Sequence, residues 1–362
     1  MNRKQFMLLF VMAAVVGCGG LIVLKRAKKG WMVRESRMGE KVLPNLPVND
    51  VASIHVRGNS DFNVLVTNAI WRVRERDYYA ANYNQIKDLL MKIAGIKVIE
   101  SDVVGPSQLE RLELKPPGTG GATGTLFEFK DAQGAILASL VTGKKHDRPH
   151  NGFEPRGLRG LFDGRYVLLP NDPGRVLLIS DELISAAPEP GMWLNPEFFK
   201  VENIKFISMV STNPADSWEI SREDTSSPWV LADSKPGETL DLRVASDAAE
   251  ILAFPTFVDV LPAKESSTAG LTHPARVVTC ITDTVAYTLK LGSRRPDGTY
   301  LMTIAVAGYH SAPLSPGIEE RLLKERALGS RIYVVDSWIE LVIRDRAQVL
   351  QSTAVARQSA ER

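Results

Sequence analysis

Apolar and polar positions alternate along this chain in short runs, and the runs come twice in the same order. Val48-Asn49-Asp50-Val51-Ala52-Ser53-Ile54 matches Val201-Glu202-Asn203-Ile204-Lys205-Phe206-Ile207. Each reads as a short strand with apolar residues set between polar ones. Trp71-Arg72-Val73 and Trp229-Val230-Leu231 follow as a second strand in each half. A helix comes next. Tyr83, Ile86, Leu89, Leu90, Ile93 and Ile96 recur at three and four, with Asn82 and Gln85 as a capping box at the start. Its counterpart carries Ala245, Ala248, Ala249 and Leu252 on one side, with Asp241 as the cap and Pro255 as the stop.

The correspondence continues down the chain. Glu113-Leu114-Lys115-Pro116-Pro117 parallels Gly270-Leu271-Thr272-His273-Pro274, and strand patterns over residues 137–143 and 286–292 both end at glycine. Phe162-Asp163-Gly164-Arg165-Tyr166-Val167 parallels Pro296-Asp297-Gly298-Thr299-Tyr300-Leu301, a turn feeding a strand. Arg175-Val176-Leu177-Leu178-Ile179 parallels Arg331-Ile332-Tyr333-Val334-Val335, each expected to lead into a short helix holding Leu183 or Ile339. These landmarks keep one order at offsets of roughly 135–160 residues, the mark of an internal repeat. The fold class expected is α+β: an N-terminal transmembrane helix, then two tandem repeats of a mostly antiparallel sheet with packed helices. The boundaries are an anchor at 1–30, a linker at 31–46, repeats at 47–190 and 191–345, and a polar tail at 346–362. The joint falls in the Pro- and Gly-punctuated residues 186–191.

The anchor is the one segment without this alternation. Residues 6–24 are uncharged, flanked by Arg3 and Lys4 before and by Lys25, Arg26, Lys28 and Lys29 after. Nineteen residues at about 1.5 Å each span about 28 Å, one bilayer core. A cleaved signal has an apolar core of only about 7–15 residues, so the segment reads as a retained single-pass anchor and the membrane as its first partner. Val15-Val16-Gly17-Cys18 also resembles the lipoprotein cleavage box, and lipidation at Cys18 is the alternative mode of attachment. Flanking charge alone would place the body in the cytoplasm; the short N terminus favours the outside.

Composition alters this picture in one respect. The 362 residues carry 44 Lys and Arg against 42 Asp and Glu. Residues 1–30 hold six of the basic residues and no acidic ones, so the body is slightly acidic, with 38 basic against 42 acidic. No nucleic-acid partner is expected from such a balance. Two cysteines, Cys18 and Cys280, exclude a disulfide scaffold and a four-cysteine zinc site.

The anchor, the Trp-x-Val strand, the helix start Tyr78-Tyr79-Ala80-Ala81-Asn82, the Leu114-x-x-Pro117 segment, the Tyr166-Val167 strand and the Val176-Leu177-Leu178-Ile179 strand form a pattern together. It resembles the bacterial family catalogued as domain of unknown function 4340, here in two copies over about residues 47–345. Glu113 departs from the family's usual Gly-Leu-x-x-Pro, which Gly270 keeps. The resemblance implies a periplasmic body on the bacterial inner membrane, in the neighbourhood of auxiliary subunits of gliding-type ATP-binding-cassette export systems. It implies no reaction.

The chemistry-bearing residues agree with that silence. There is no Gly-x-Ser-x-Gly elbow, and Cys280 lies in the strand-like run Val277-Val278-Thr279-Cys280-Ile281. His146 and His150 are four apart, but Pro149 opposes the shared helix face that chelation needs, so a solvated loop is expected. His55, His273 and His310 read as surface or capping residues. The glycines of 118–124 precede a strand rather than follow one, which makes an inserted loop and not a phosphate cradle. Glu319-Glu320 and Asp181-Glu182 nominate no acid–base pair. No catalytic residue, cofactor or metal is expected. The first half does hold a cationic insertion that the second lacks: Lys144, Lys145, Arg148, Arg156, Arg159 and Arg165, interleaved with Phe153 and Phe162. It is the candidate site for an anionic glycan, lipid or peptide. The expected function is a non-enzymatic scaffold or auxiliary subunit of an envelope transport complex. A binding module acting through residues 144–165 is the alternative, and an envelope hydrolase of unfamiliar type is a third.

Overall fold

The computed structural model describes residues 37–118, 123–147, 162–268, 270–309 and 316–351. The chain is α+β, with two mostly antiparallel sheets and a few helices. It divides into two compact units. One comprises residues up to Asp61 together with Lys87–Pro188; the other comprises Phe62–Ile86 and Glu189 onward. The expected anchor at 6–24 and Cys18 lie outside the described residues. Among the described residues, no helix is long and apolar enough to cross a membrane.

In the first unit the sheet runs β1-β6-β7-β8-β9-β5, every neighbour antiparallel. The strands are β1 (Ser53–Arg57), β5 (Val98–Val103), β6 (Thr125–Lys130), β7 (Ile136–Asp147), β8 (Phe162–Leu168) and β9 (Arg175–Ile179). Side chains alternate across a strand, so one face of β1 and β6 delivers Ile54, Val56, Phe127 and Phe129, all fully buried. Helix α1 (Tyr83–Gly95), of which the residues from Lys87 on belong to this unit, begins where expected, with the Gln85 N–H donating to Asn82 Oδ1 at 3.3 Å. Its Ile86, Leu89 and Ile93 are buried at the spacing that marked them. A six-residue helix, α2 (Pro106–Arg111), covers the far end of the sheet, where Leu114, Leu126, Val141, Leu168 and Val176 form a buried cluster.

The second unit holds a short meander: β2 (Asp61–Thr67), β3 (Ile70–Val73) and β4 (Tyr79–Ala80). It also holds an eight-stranded antiparallel sheet in the order β12-β11-β10-β14-β15-β16-β17-β13. These are β10 (Phe206–Ser211), β11 (Trp218–Ser221), β12 (Val230–Leu231), β13 (Asp259–Leu261), β14 (Arg276–Ile281), β15 (Val285–Leu291), β16 (Tyr300–Gly308) and β17 (Ile332–Val335). Three helices complete it: α3 (Leu242–Ile251), α4 (Pro316–Leu328) and α5 (Arg346–Val349). Asp241 caps α3 as its position implied, accepting from the N–H groups of Arg243 and Val244.

Several elements differ from the sequence expectation. Residues 48–50 form a 3-10 turn closed by the Asp50 N–H on the Pro47 carbonyl, so β1 starts only at Ser53. Residues 201–204 are irregular, although Val201 and Ile204 are buried. Their burial demand was met without a strand, because Asn203 turns left-handed at φ 56°. Helix α3 stops at Ile251, before Pro255 can end it. Leu183 lies in a turn rather than a helix, held at φ 49° with its N–H on the Asp181 carboxylate. His146 and Asp147 continue β7 instead of entering a loop.

Candidate functional site

The cationic insertion is only in part a loop. Lys144, Lys145 and Arg165 sit on the paired strands β7 and β8; Arg148, Arg156 and Arg159 lie outside the described residues. Lys145 pairs with Glu182 at 2.9 Å. The Arg165 guanidinium donates to the carbonyls of Gly143 at 2.9 Å and Glu182 at 3.1 Å. Burial lowers its pKa, against the nearby Glu113 and Glu182. Arg165 therefore clamps backbone, while Lys144 and Lys145 both stand exposed, Lys145 with Glu182 as its partner.

The other singled-out residues also take structural places. Cys280 is fully buried on β14, and desolvation pushes its thiol up to about 12. His146 stacks edge-on against Tyr166 at 5.5 Å. His55 lies between Asp61 at 2.7 Å and Glu128 at 3.0 Å, and His273 is exposed. Gly124 is wedged against the Glu113 and Thr142 carbonyls, where any side chain would collide. His150, His310 and residues 119–122 lie outside the described residues. Among the described residues, no group of three or more His, Cys, Asp or Glu side chains could hold a metal ion.

A groove that the sequence reading missed lies in the second unit, with a volume of about 810 Å³. Its wall begins with α4. The Tyr333 hydroxyl donates to the Leu328 carbonyl at 3.2 Å, closing the helix end ahead of Gly329. The buried side of α4 carries Leu322 and, unusually, Glu325. Charged groups are buried only when partnered. Glu325 accepts the Tyr287 hydroxyl hydrogen at 2.7 Å and the Lys200 backbone N–H at 3.4 Å. Burial raises the Tyr287 pKa, and hydrogen bonding to Glu325 adds to it.

The floor is aromatic. Phe198 packs on Tyr333 at 4.7 Å and on Phe257 at 5.0 Å, and Phe257 meets Tyr333 at 5.3 Å and Tyr79 at 5.8 Å. Such pairs contribute about 0.5–1.5 kcal/mol each beyond burial. Burial raises the pKa of both Tyr79 and Tyr333, keeping them neutral hydroxyls. The rim is set by a tight turn in which Asp77 and Tyr78 are both left-handed, at φ 51° and 56°. Three contacts hold that turn: Arg76 grips Asp259, Asp77 accepts the Ala263 N–H, and Arg331 donates to the Asp77 carbonyl. Tyr78 is thereby presented at the rim, 45% exposed.

The lining carries five cations, Arg72, Lys200, Arg321, Lys324 and Arg331, against Glu197, Glu202 and Glu325. Aromatic faces beneath an excess of positive charge suit an acidic, partly apolar segment, with hydrogen-bonding groups at fixed positions. The groove was hidden because its parts stand up to about 260 residues apart and none forms a local motif.

The model of one family, Domain of unknown function (DUF4340), matches residues 71–274, more than half of the chain. The chain belongs to this family. The DUF4340 match opens at Trp71 on β3, includes Tyr78, Tyr79 and Phe198 of the groove and Phe257 packed against them, and ends before Arg321, Arg331 and Tyr333. Neither a curated protein nor a solved structure matches the chain.

Proposed function

We propose that this DUF4340 protein is a non-enzymatic scaffold, tethered to the membrane through residues 6–24 with its body extracytoplasmic, which holds an acidic segment of a partner in an envelope transport complex. The observation that carries the reading is the groove of the second unit: an aromatic floor, five cations on its lining and an exposed tyrosine at its rim. Interfaces of this kind draw their energy from aromatic anchors and Arg, with the charged rim steering the approach.

The duplication belongs to the same reading. What supports it is topology. Order β1-β6-β7-β8-β9-β5 in one unit corresponds, strand for strand, to β10-β14-β15-β16-β17-β13 in the other. Register agrees as well: Ile54 faces Phe129 and Val56 faces Phe127, as Ile207 faces Cys280 and Met209 faces Val278. Both copies share one scaffold, and the groove draws Arg72, Tyr78, Tyr79 and Ala80 from the first copy and its other lining from the second.

Affinity isolation from membranes solubilised in mild detergent tests the proposal. The wild-type chain should bring down permease or ATPase subunits, identified by mass spectrometry. A Tyr78→Ser, Lys324→Glu double variant, altered only at exposed rim positions, should lose them while keeping its melting temperature. Recovery of the wild-type chain alone, or equal recovery of partners by the variant, overturns the reading.

A further inference from the structure

A second cleft in the second unit, of about 890 Å³, lies between the start of β14, the turn after β15 and the segment following β17. Most of its charges are already committed. Arg276 donates to Asp345 at 2.9 Å, Arg294 donates to Glu340 at 3.1 Å, and Asp336 accepts the Trp338 N–H. Arg344 differs. Among the described residues its guanidinium makes no hydrogen bond or ion pair, and its Nη1 is buried without a partner. The backbone beneath it is fixed, because the Trp218 indole N–H donates to the Arg344 carbonyl at 2.7 Å.

A desolvated donor left without a partner costs stability, and more when charged, so a native protein that retains one invites an explanation. The planar guanidinium fork matches two oxygens of one carboxylate or phosphate group. The cleft's own charges discriminate between these. Asp336, Glu340 and Asp345 line it alongside three arginines, so each added negative charge meets repulsion, and a single charge is tolerated better than two. Trp338, Leu341 and Ile343 add apolar surface beside the arginine.

We propose that Arg344 binds the carboxylate of a monoanionic ligand with an apolar body in this cleft. The ligand is an organic acid or the C-terminal carboxylate of a peptide. The chemistry is the same in either case: two carboxylate oxygens accept from the guanidinium, and the apolar body covers Trp338 and Ile343. This site is separate from the groove assigned to the scaffold partner, and it stands or falls independently.

Isothermal titration on the full chain in detergent micelles tests it, with 4-phenylbutyrate, an N-acetylated tripeptide ending in leucine, the same peptide amidated at its C terminus, and inorganic phosphate. Binding is expected for at least one carboxylate, with loss of about tenfold or more for the amidated peptide and for Arg344→Gln, equivalent to about 1.4 kcal/mol. Phenylbutyrate binding alone identifies a free organic acid as the source; peptide binding alone identifies a chain terminus. The melting temperature of Arg344→Gln without ligand should equal or exceed the wild-type value, since the variant removes a desolvated charge. The proposal is overturned if no carboxylate binds, if acid and amide bind equally, if phosphate binds more tightly than both carboxylates, or if Arg344→Gln retains wild-type affinity.

Discussion

The Tyr287 hydroxyl donates to the Glu325 carboxylate at 2.7 Å, and both residues are buried, one on β15 and the other on α4. This bond joins the helix that walls the groove to the sheet beneath it. Removing the hydroxyl leaves Glu325 with the Lys200 N–H at 3.4 Å and Arg321 at 3.9 Å. Tyr287→Phe should therefore destabilise the protein by about 1–3 kcal/mol, the cost of an under-satisfied buried acceptor. Glu325→Gln keeps an acceptor in place and should cost less. Urea unfolding of both variants checks the order; equal or negligible losses would show the carboxylate to be reached by water.

Arg76 and Asp259 form a two-pronged pair, Nε and Nη2 each 2.6 Å from one carboxylate oxygen. Both side chains are largely covered, at 17% and 25% exposure. This geometry is the strong form of the ion pair, and it ties the rim turn at residues 74–78 to β13. A double-mutant cycle with Arg76→Ala and Asp259→Ala should return a coupling of about 1–3 kcal/mol. A value under about 0.5 kcal/mol would place it with ordinary surface pairs.

Periodicity revealed the scaffold and missed the sites, for separable reasons. Helix α1 and the capped start of α3 were legible because their apolar spacing and their Asn82 and Asp241 caps are local signals. Residues 48–54 and 201–207 were legible as buried segments, but only their last few positions pair as strands. Apolar alternation states a burial demand, and the turn at Pro47 and the left-handed Asn203 decide how backbone meets it. The Lys145 and Arg165 side chains read as free cations because Glu182 and the Gly143 carbonyl are their neighbours only in the folded sheet. The groove residues from Arg72 to Tyr333 have no common motif, and the isolation of Arg344 is a property of its surroundings.

Glu238 accepts from Arg346 at 2.6 Å and from the Lys235 backbone N–H at 3.0 Å. The Arg346 bond is the leading cause that lowers its carboxyl from the ordinary 4.5 to about 2. A depressed carboxylate pKa contributes stability that is fully present above the unfolded value and is lost as pH falls toward the folded one. The melting-temperature difference between wild type and Glu238→Gln should hold constant above about pH 5, shrink between pH 4.5 and 2, and vanish below. A difference independent of pH would mean that the contact acts through shape alone.

Cys280 has no exposed surface, and its thiol is raised to about 12 by desolvation. Thiolate is the reactive form, so the native protein should leave Cys280 unmodified by iodoacetamide at pH 8. Modification should follow in urea at the rate of an ordinary cysteine. Peptide mass spectrometry distinguishes this site from Cys18, and rapid native labelling would require β14 to open.

Glu113 occupies a backbone position made for glycine. It sits one residue past the C-cap of α2 at φ 54°, and Gly270, with which the sequence pattern aligns it, sits at φ 65°. The Glu113 N–H bonds to the Glu110 carbonyl and the Leu114 N–H to the Leu109 carbonyl, at 3.0 and 2.8 Å. That pair of bonds is the Schellman ending, with Leu114 and Leu109 packed in the same apolar cluster. Left-handed backbone costs an ordinary L-residue roughly 1–2 kcal/mol, and glycine escapes most of that penalty while losing more chain entropy. Glu113→Gly should therefore raise stability by about 0.5–1 kcal/mol, and Glu113→Asn by less. Glu113→Val should lower it, because a β-branched side chain tolerates this conformation worst. Thermal and urea unfolding measure the series; a loss of stability in Glu113→Gly would mean that the carboxylate, through its field at Arg165, outweighs the strain of the backbone that carries it.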